Sequence, residues 1–107
     1  MAAVARLGDL CTGHGCWPPR PGIEASDDVF VNGIRVHRVG DGWQTHCCDG
    51  SCHPGVVVSG SGSVFINGRS AARIADSINC GSLIAQGSPN VFIGGGMGGA
   101  TEIELDL

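Results

Sequence analysis

The chain has 107 residues, enough for one modest domain, and a formal net charge of −4 with six basic residues, all arginine, which argues against a nucleic-acid surface. No apolar run reaches the roughly eighteen residues of a membrane-spanning helix, and residues 1–6 lack the layout of a secretory signal. Nineteen glycines without a period of three, 15% charged residues and no tyrosine favour many short strands joined by tight turns.

The first unit opens on Ala5-Arg6-Leu7-Gly8-Asp9 and enters Cys11-Thr12-Gly13-His14-Gly15-Cys16. Prolines at 18, 19 and 21 then force an extended or turning path. Val29-Phe30-Val31-Asn32-Gly33 reads as a short strand ending in a hairpin turn, and residues 34–39 alternate as its return strand. The second unit opens on His37-Arg38-Val39-Gly40-Asp41 and crosses residues 43–55, expected to be a loop, with three of the six cysteines and two of the four histidines. Val56-Val57-Val58 is a predicted strand and residues 59–63 a turn. Val64-Phe65-Ile66-Asn67-Gly68 repeats the hairpin, and residues 69–74 return. The third unit opens on Ala72-Arg73-Ile74-Ala75-Asp76 and passes Cys80. Leu83-Ile84-Ala85 is a short predicted strand and Val91-Phe92-Ile93-Gly94-Gly95 the third hairpin. Residues 101–107 alternate again, as a last edge strand would. No stretch reads as a helix longer than a turn or two.

The fold expected is therefore all-β, with three hairpin units of about 30 residues, none able to bury its own apolar face. The strand Val, Phe and Ile are expected to fill the interior. Three units around one axis give pseudo-threefold symmetry within a single chain.

The chain resembles the PAAR-repeat (proline-alanine-alanine-arginine) proteins. The resemblance is carried by Val31-Asn32-Gly33 with Arg38-Val39-Gly40-Asp41, by Ile66-Asn67-Gly68-Arg69-Ser70-Ala71-Ala72-Arg73, and by Gly87-Ser88-Pro89-Asn90-Val91-Phe92-Ile93-Gly94-Gly95. Ser70-Ala71-Ala72-Arg73 is nearly the naming tetrapeptide. Residues 1–95 are assigned to the PAAR-repeat domain and residues 96–107 to a Gly-rich segment with a short strand or tail. Two features depart from the commonest pattern. His14-Gly15 is followed by Cys16 where a second Gly is usual, and the middle loop is longer and Cys-rich, like versions found with phage-type tails.

The resemblance implies a small β-structured cone that caps the blunt end of a trimeric β-helical spike, either the valine-glycine-repeat spike of type VI secretion systems or that of contractile phage-type tails. It implies a structural zinc near the apex, typically held by three His and one Cys, a part in membrane puncture, and possible effector partners. Such a protein assembles in the bacterial cytoplasm and ends outside the cell or on a virion.

Zinc takes four deprotonated N or S donors in a tetrahedron. His14 lies five residues after Asp9, His46 five after Asp41, and Cys80 four after Asp76. The repeat offsets therefore nominate His14, His46 and Cys80. His53 is taken as the fourth, because His53-Pro54-Gly55 echoes His14-Gly15; Cys52 stands as its alternative, and Cys47 or Cys48 as alternatives to His46. Four filled positions make a site that stabilises and does not catalyse.

His37 takes the place of Ala72 and reads as a surface strand residue. The remaining cysteines are small buried hydrophobes, or Cys11 pairs with Cys16, or Cys47 with Cys52, after export. Asp9, Asp41 and Asp76 read as turn carboxylates that accept backbone N–H groups and pair with the adjacent Arg. Trp17 and Trp43 are expected to shield the ion.

No His-Glu-x-x-His, Cys-x-x-Cys or Gly-x-Ser-x-Gly occurs, which argues against an enzyme. With about a dozen residues after the last repeat, no toxin domain is expected there. The alternatives are a secreted disulfide-rich binding module and, behind it, a small zinc enzyme.

Overall fold

The computed structural model describes residues 1–94. The edge strand expected at 101–107 and the tail from residue 96 lie outside the described residues.

The described residues are all-β and contain no helix. Eight short strands are β1 (Ala2–Ala3), β2 (Phe30–Val31), β3 (Ile34–Arg35), β4 (Gly42–Cys48), β5 (Ser51–Val56), β6 (Phe65–Ile66), β7 (Arg69–Ser70) and β8 (Phe92–Ile93). They pair into four two-stranded antiparallel ladders. Asn32-Gly33 and Asn67-Gly68 turn β2 into β3 and β6 into β7, with φ of 58° and 75° in the first and 55° and 82° in the second. Positive φ at both central residues is what a two-residue hairpin turn demands.

The third hairpin closes through the other end of the chain. β8 pairs with β1, Ala3 opposite Phe92 and Ala2 opposite Ile93. The same register sets Arg35 opposite Phe30 and Ser70 opposite Phe65. The first residues are thus the return strand of the last unit, and the ring of units is shut by its own N-terminus.

Each hairpin is rooted identically. Ser26, Ser61 and Ser88 are buried. Each main-chain N–H donates at 2.8 Å to the carbonyl of Val36, Ala71 and Val4 respectively. Each hydroxyl accepts the N–H groups two and three residues on, at 2.9–3.2 Å. At the centre Ala5 donates to the Ala72 carbonyl, His37 to Ala5 and Ala72 to His37, at 2.9, 3.0 and 2.9 Å. This closed triangle of backbone hydrogen bonds marks the pseudo-threefold axis.

The repeated Arg–Asp turns take the form expected of them. Arg6, Arg38 and Arg73 each donate their main-chain N–H to the carboxylate three residues on, at 2.8, 2.8 and 2.7 Å. Each guanidinium clamps the same carboxylate through Nε and Nη2 at 3.0–3.2 Å. Bidentate geometry around a mostly buried carboxylate is the strong form of an ion pair.

The core is Ala5, Cys11, Trp43, Val57, Ala72, Ile78 and Ile84, with Val39 and Cys80 against it. Three expectations are corrected here. The phenylalanines do not fill the interior: Phe30, Phe65 and Phe92 are 53%, 57% and 49% exposed. On two-residue strands alternation aims Phe outward and leaves Val31, Ile66 and Ile93 half-buried. His37 is not a surface residue but is fully buried on the axis, its Nδ1 2.8 Å from the Glu24 carbonyl and its ring edge-on to Trp43. Trp43 therefore packs the core beside His37 and is not a shield for the ligand loops.

Candidate metal centre

Residues 43–55, expected to be a loop, form the longest ladder of the molecule. β4 and β5 are joined at Asp49-Gly50, with φ of 51° and 80°. Asp-Gly is a strong hairpin signal that the sequence reading passed over. His46 faces His53 directly across this ladder, and Cys47 faces Cys52 one position further on. Alternation along a strand then separates the two pairs onto opposite faces. The side of the ladder that carries His46 thus also carries His53 and not Cys52.

His14 arrives on a tight turn. Its N–H and carbonyl exchange hydrogen bonds with Trp17 at 3.0 and 2.8 Å. Gly13, at φ of 71°, makes this possible, because a Cβ there would lie 2.6 Å from the Trp17 carbonyl oxygen. The Trp17 ring stacks on His14 with centroids 5.1 Å apart, and its Nε1 donates to the Ser51 carbonyl at 3.0 Å. Trp17 thus lies against both His14 and the β4–β5 turn. Cys80 sits on the turn that runs from Ile78 to Gly81, where Gly81 takes a φ of 106°.

Together these elements bring one ligand atom each from His14, His46, His53 and Cys80 within 4.8 Å of one another. The His53 Nε2 lies 3.1 Å from that of His14 and 2.7 Å from that of His46. His46 Nδ1 is 2.8 Å from the Pro18 carbonyl oxygen, so it carries the proton and Nε2 presents its lone pair to the centre. Three imidazole nitrogens turned on one another, with a thiol beside them, are a donor set that a cation satisfies better than shared protons. His53 is held below the usual histidine pKa, first by loss of solvent and then by His46, Arg20 and His14. That keeps it in the neutral form a metal requires.

Sequence reasoning missed Arg20. It is buried, it donates through Nη1 to the Gln44 and His53 carbonyls at 2.7 and 3.0 Å, and through Nη2 to the Cys80 sulfur at 2.9 Å. Its place between Pro19 and Pro21, where the backbone has few choices, was the available signal. The cysteine pairing is corrected in part. Cys47 bonds Cys52, while Cys16 bonds Cys48 and not Cys11, which stays a free thiol in the core.

A ring of three β units that gathers histidine and cysteine loops at one point defines a class of structural, metal-competent repeat modules. The chain belongs to the PAAR-motif family, whose model matches residues 12–85 and 49–98. That module is a structural tip domain and not a catalytic one. The NAD(P)(+) glycohydrolase toxin Tse6 of Pseudomonas aeruginosa is 37% identical over 79 residues, which are 68% of this chain and 18% of the toxin. The (p)ppApp synthetase toxin Tas1 of the same species matches equally. The double-stranded DNA deaminase toxin A of Burkholderia cenocepacia is 40% identical over 75 residues, 69% of this chain and 5% of the toxin. The chain thus spans less than a fifth of each of these relatives.

Proposed function

We propose that the chain is the tip of a bacterial injection apparatus. It seats as one copy on the blunt end of a trimeric β-helical spike of the type VI or phage-tail kind and presents its ligand loops to the target membrane. The observation that carries this reading is the closed backbone triangle of Ala5, His37 and Ala72, with Phe30, Phe65 and Phe92 exposed on equivalent hairpins. A single chain with three near-equal faces can meet three identical spike chains at once. Buried under such a partner, the phenylalanines and the short edge strands would no longer face water.

Within the tip, His14, His46, His53 and Cys80 would hold one zinc ion. The ion would cross-link segments from all three units, so its role is stability. The chain itself carries out no reaction. Effector cargo of the toxin kind named among the relatives would travel with the tip, from the cytoplasm where it assembles to the outside of the cell.

Mixing the chain with a trimeric spike tests the reading. One chain should bind per trimer, and Phe30→Asp with Phe65→Asp and Phe92→Asp should abolish binding while the variant stays folded. A complex with three chains per trimer, or one indifferent to these substitutions, would overturn it.

A further inference from the structure

Four of the six cysteines bracket the three histidines. Cys16 lies two residues after His14 and Cys48 two after His46, and these cysteines are joined, with Cα atoms 5.8 Å apart. Cys47 follows His46 and Cys52 precedes His53, and these too are joined, with Cα atoms 4.1 Å apart. The remaining two cysteines have other places, Cys11 in the core and Cys80 among the candidate ligands.

The surroundings explain what the pairs can do. Gly15, Cys16, Cys47, Asp49, Gly50, Ser51 and Cys52 are all exposed, so the tips of the two loops lie outside the core. Apart from the disulfides, the first ligand loop and the segment after it are tied to the β4–β5 hairpin by hydrogen bonds of Trp17 with Ser51, Pro18 with His46, Arg20 with Gln44 and His53, and Pro21 with Gln44, and by the contacts of the histidine rings; none of these reaches the tips at Cys16 and Cys48. The thiols also matter as donors. When reduced, Cys16 and Cys48 lie with Asp49 as a second set of possible ligand atoms, separate from the histidine cluster, whereas Cys47 and Cys52 sit on the face of the ladder away from His46 and His53. As a disulfide, Cys16 and Cys48 are withdrawn from that second set.

We infer that Cys16–Cys48 and Cys47–Cys52 form a redox clasp. Reduced, the loop tips are held only through the hydrogen bonds behind them and a bound cation; oxidised, the two disulfides cross-link them covalently. Closure is thiol–disulfide exchange. Each pair of thiols gives up two protons and two electrons to a disulfide-form oxidant, one S–S bond forms in the chain, and the oxidant's S–S bond becomes two thiols. Such bonds persist outside the cytosol and are kept open within it. The metal half of this inference rests on the proposed function; the covalent half does not.

The full chain is purified reduced, and half of it is oxidised with glutathione disulfide. Mass spectrometry should record a loss of about 4 Da, two hydrogens per bond, with peptides linked 16 to 48 and 47 to 52. The melting temperature, with and without chelator, is then read in both forms. Oxidation should raise it by roughly 10 °C or more without metal, and chelation should lower it far more in the reduced form. Cys16→Ser with Cys48→Ser, under oxidising conditions, should restore most of the chelator sensitivity.

Thiols that survive oxidation, or a metal-free melting temperature equal in the two forms, would overturn the clasp. If neither form binds zinc while oxidation still raises the melting temperature, the clasp stands and the metal reading fails.

Discussion

Ala75 occupies the place that Gly8 and Gly40 hold in the other two Arg–Asp turns, and it takes the same positive φ, 81° against 90° and 91°. A side chain there is strained, and Ala75→Gly should stabilise the fold by about 0.5–1 kcal/mol, a rise of a few degrees in calorimetry. His37 lies fully buried on the axis. Burial holds its pKa below 6.5 against the opposing pull of the Glu24 carbonyl and Asp41. A lowered folded pKa means that the unfolded chain binds the proton better. The stability is therefore present above the unfolded value and lost as pH falls through it, by at most about 1.4 kcal/mol per pH unit. Urea titrations of the metal-free chain between pH 7 and pH 5 should give a shallower loss for His37→Ala. Equal slopes would show that His37 takes up its proton as readily in the folded chain as in the unfolded one, which would contradict the lowered pKa. The sequence placed His37 at an alanine position of the repeat, but the axis runs through that position, and one copy's alternation gives no sign of it. Gly22 was the cue: a Cβ there would sit 3.1 Å from the His37 ring, so a glycine makes the room.

At the scale of elements, three ligand-bearing segments come from three different turns. Spacing alone selected His14, His46 and Cys80, since a repeated turn delivers whatever follows it to a repeated place. His53 came from a weaker echo, and its real warrant is the cross-strand register with His46 that Asp49-Gly50 sets. If the four hold one ion, His14→Ala or Cys80→Ser should lower the melting temperature about as far as chelation does, and chelator should then have no further effect. An additive loss from substitution and chelator would place the ion elsewhere. The flanking prolines marked Arg20 as fixed but not what it binds, because its three acceptors belong to segments brought together only by the fold.

At the scale of the molecule, the all-β class and the threefold repeat were legible from the recurring Val-Phe hairpins and Arg–Asp turns. The closure was not, since pairing of β1 with β8 spans nearly the whole described chain. The outward phenylalanines were misread for a related reason: a core expected from composition turned out to be built largely from alanine, valine and isoleucine near the axis. Folding thus leaves three apolar rings exposed, those of Phe30, Phe65 and Phe92, and gathers the ligand loops at one point. In the proposed tip one cation ties together the loops that carry His14, His46, His53 and Cys80. An anomalous-difference map from crystals measured on both sides of the zinc absorption edge tests it most directly. It should show one peak bonded to His14, His46 and His53 nitrogens at about 2.0–2.1 Å and to the Cys80 sulfur at about 2.3 Å. No peak there, or one held by other donors such as Asp49, would contradict the claim.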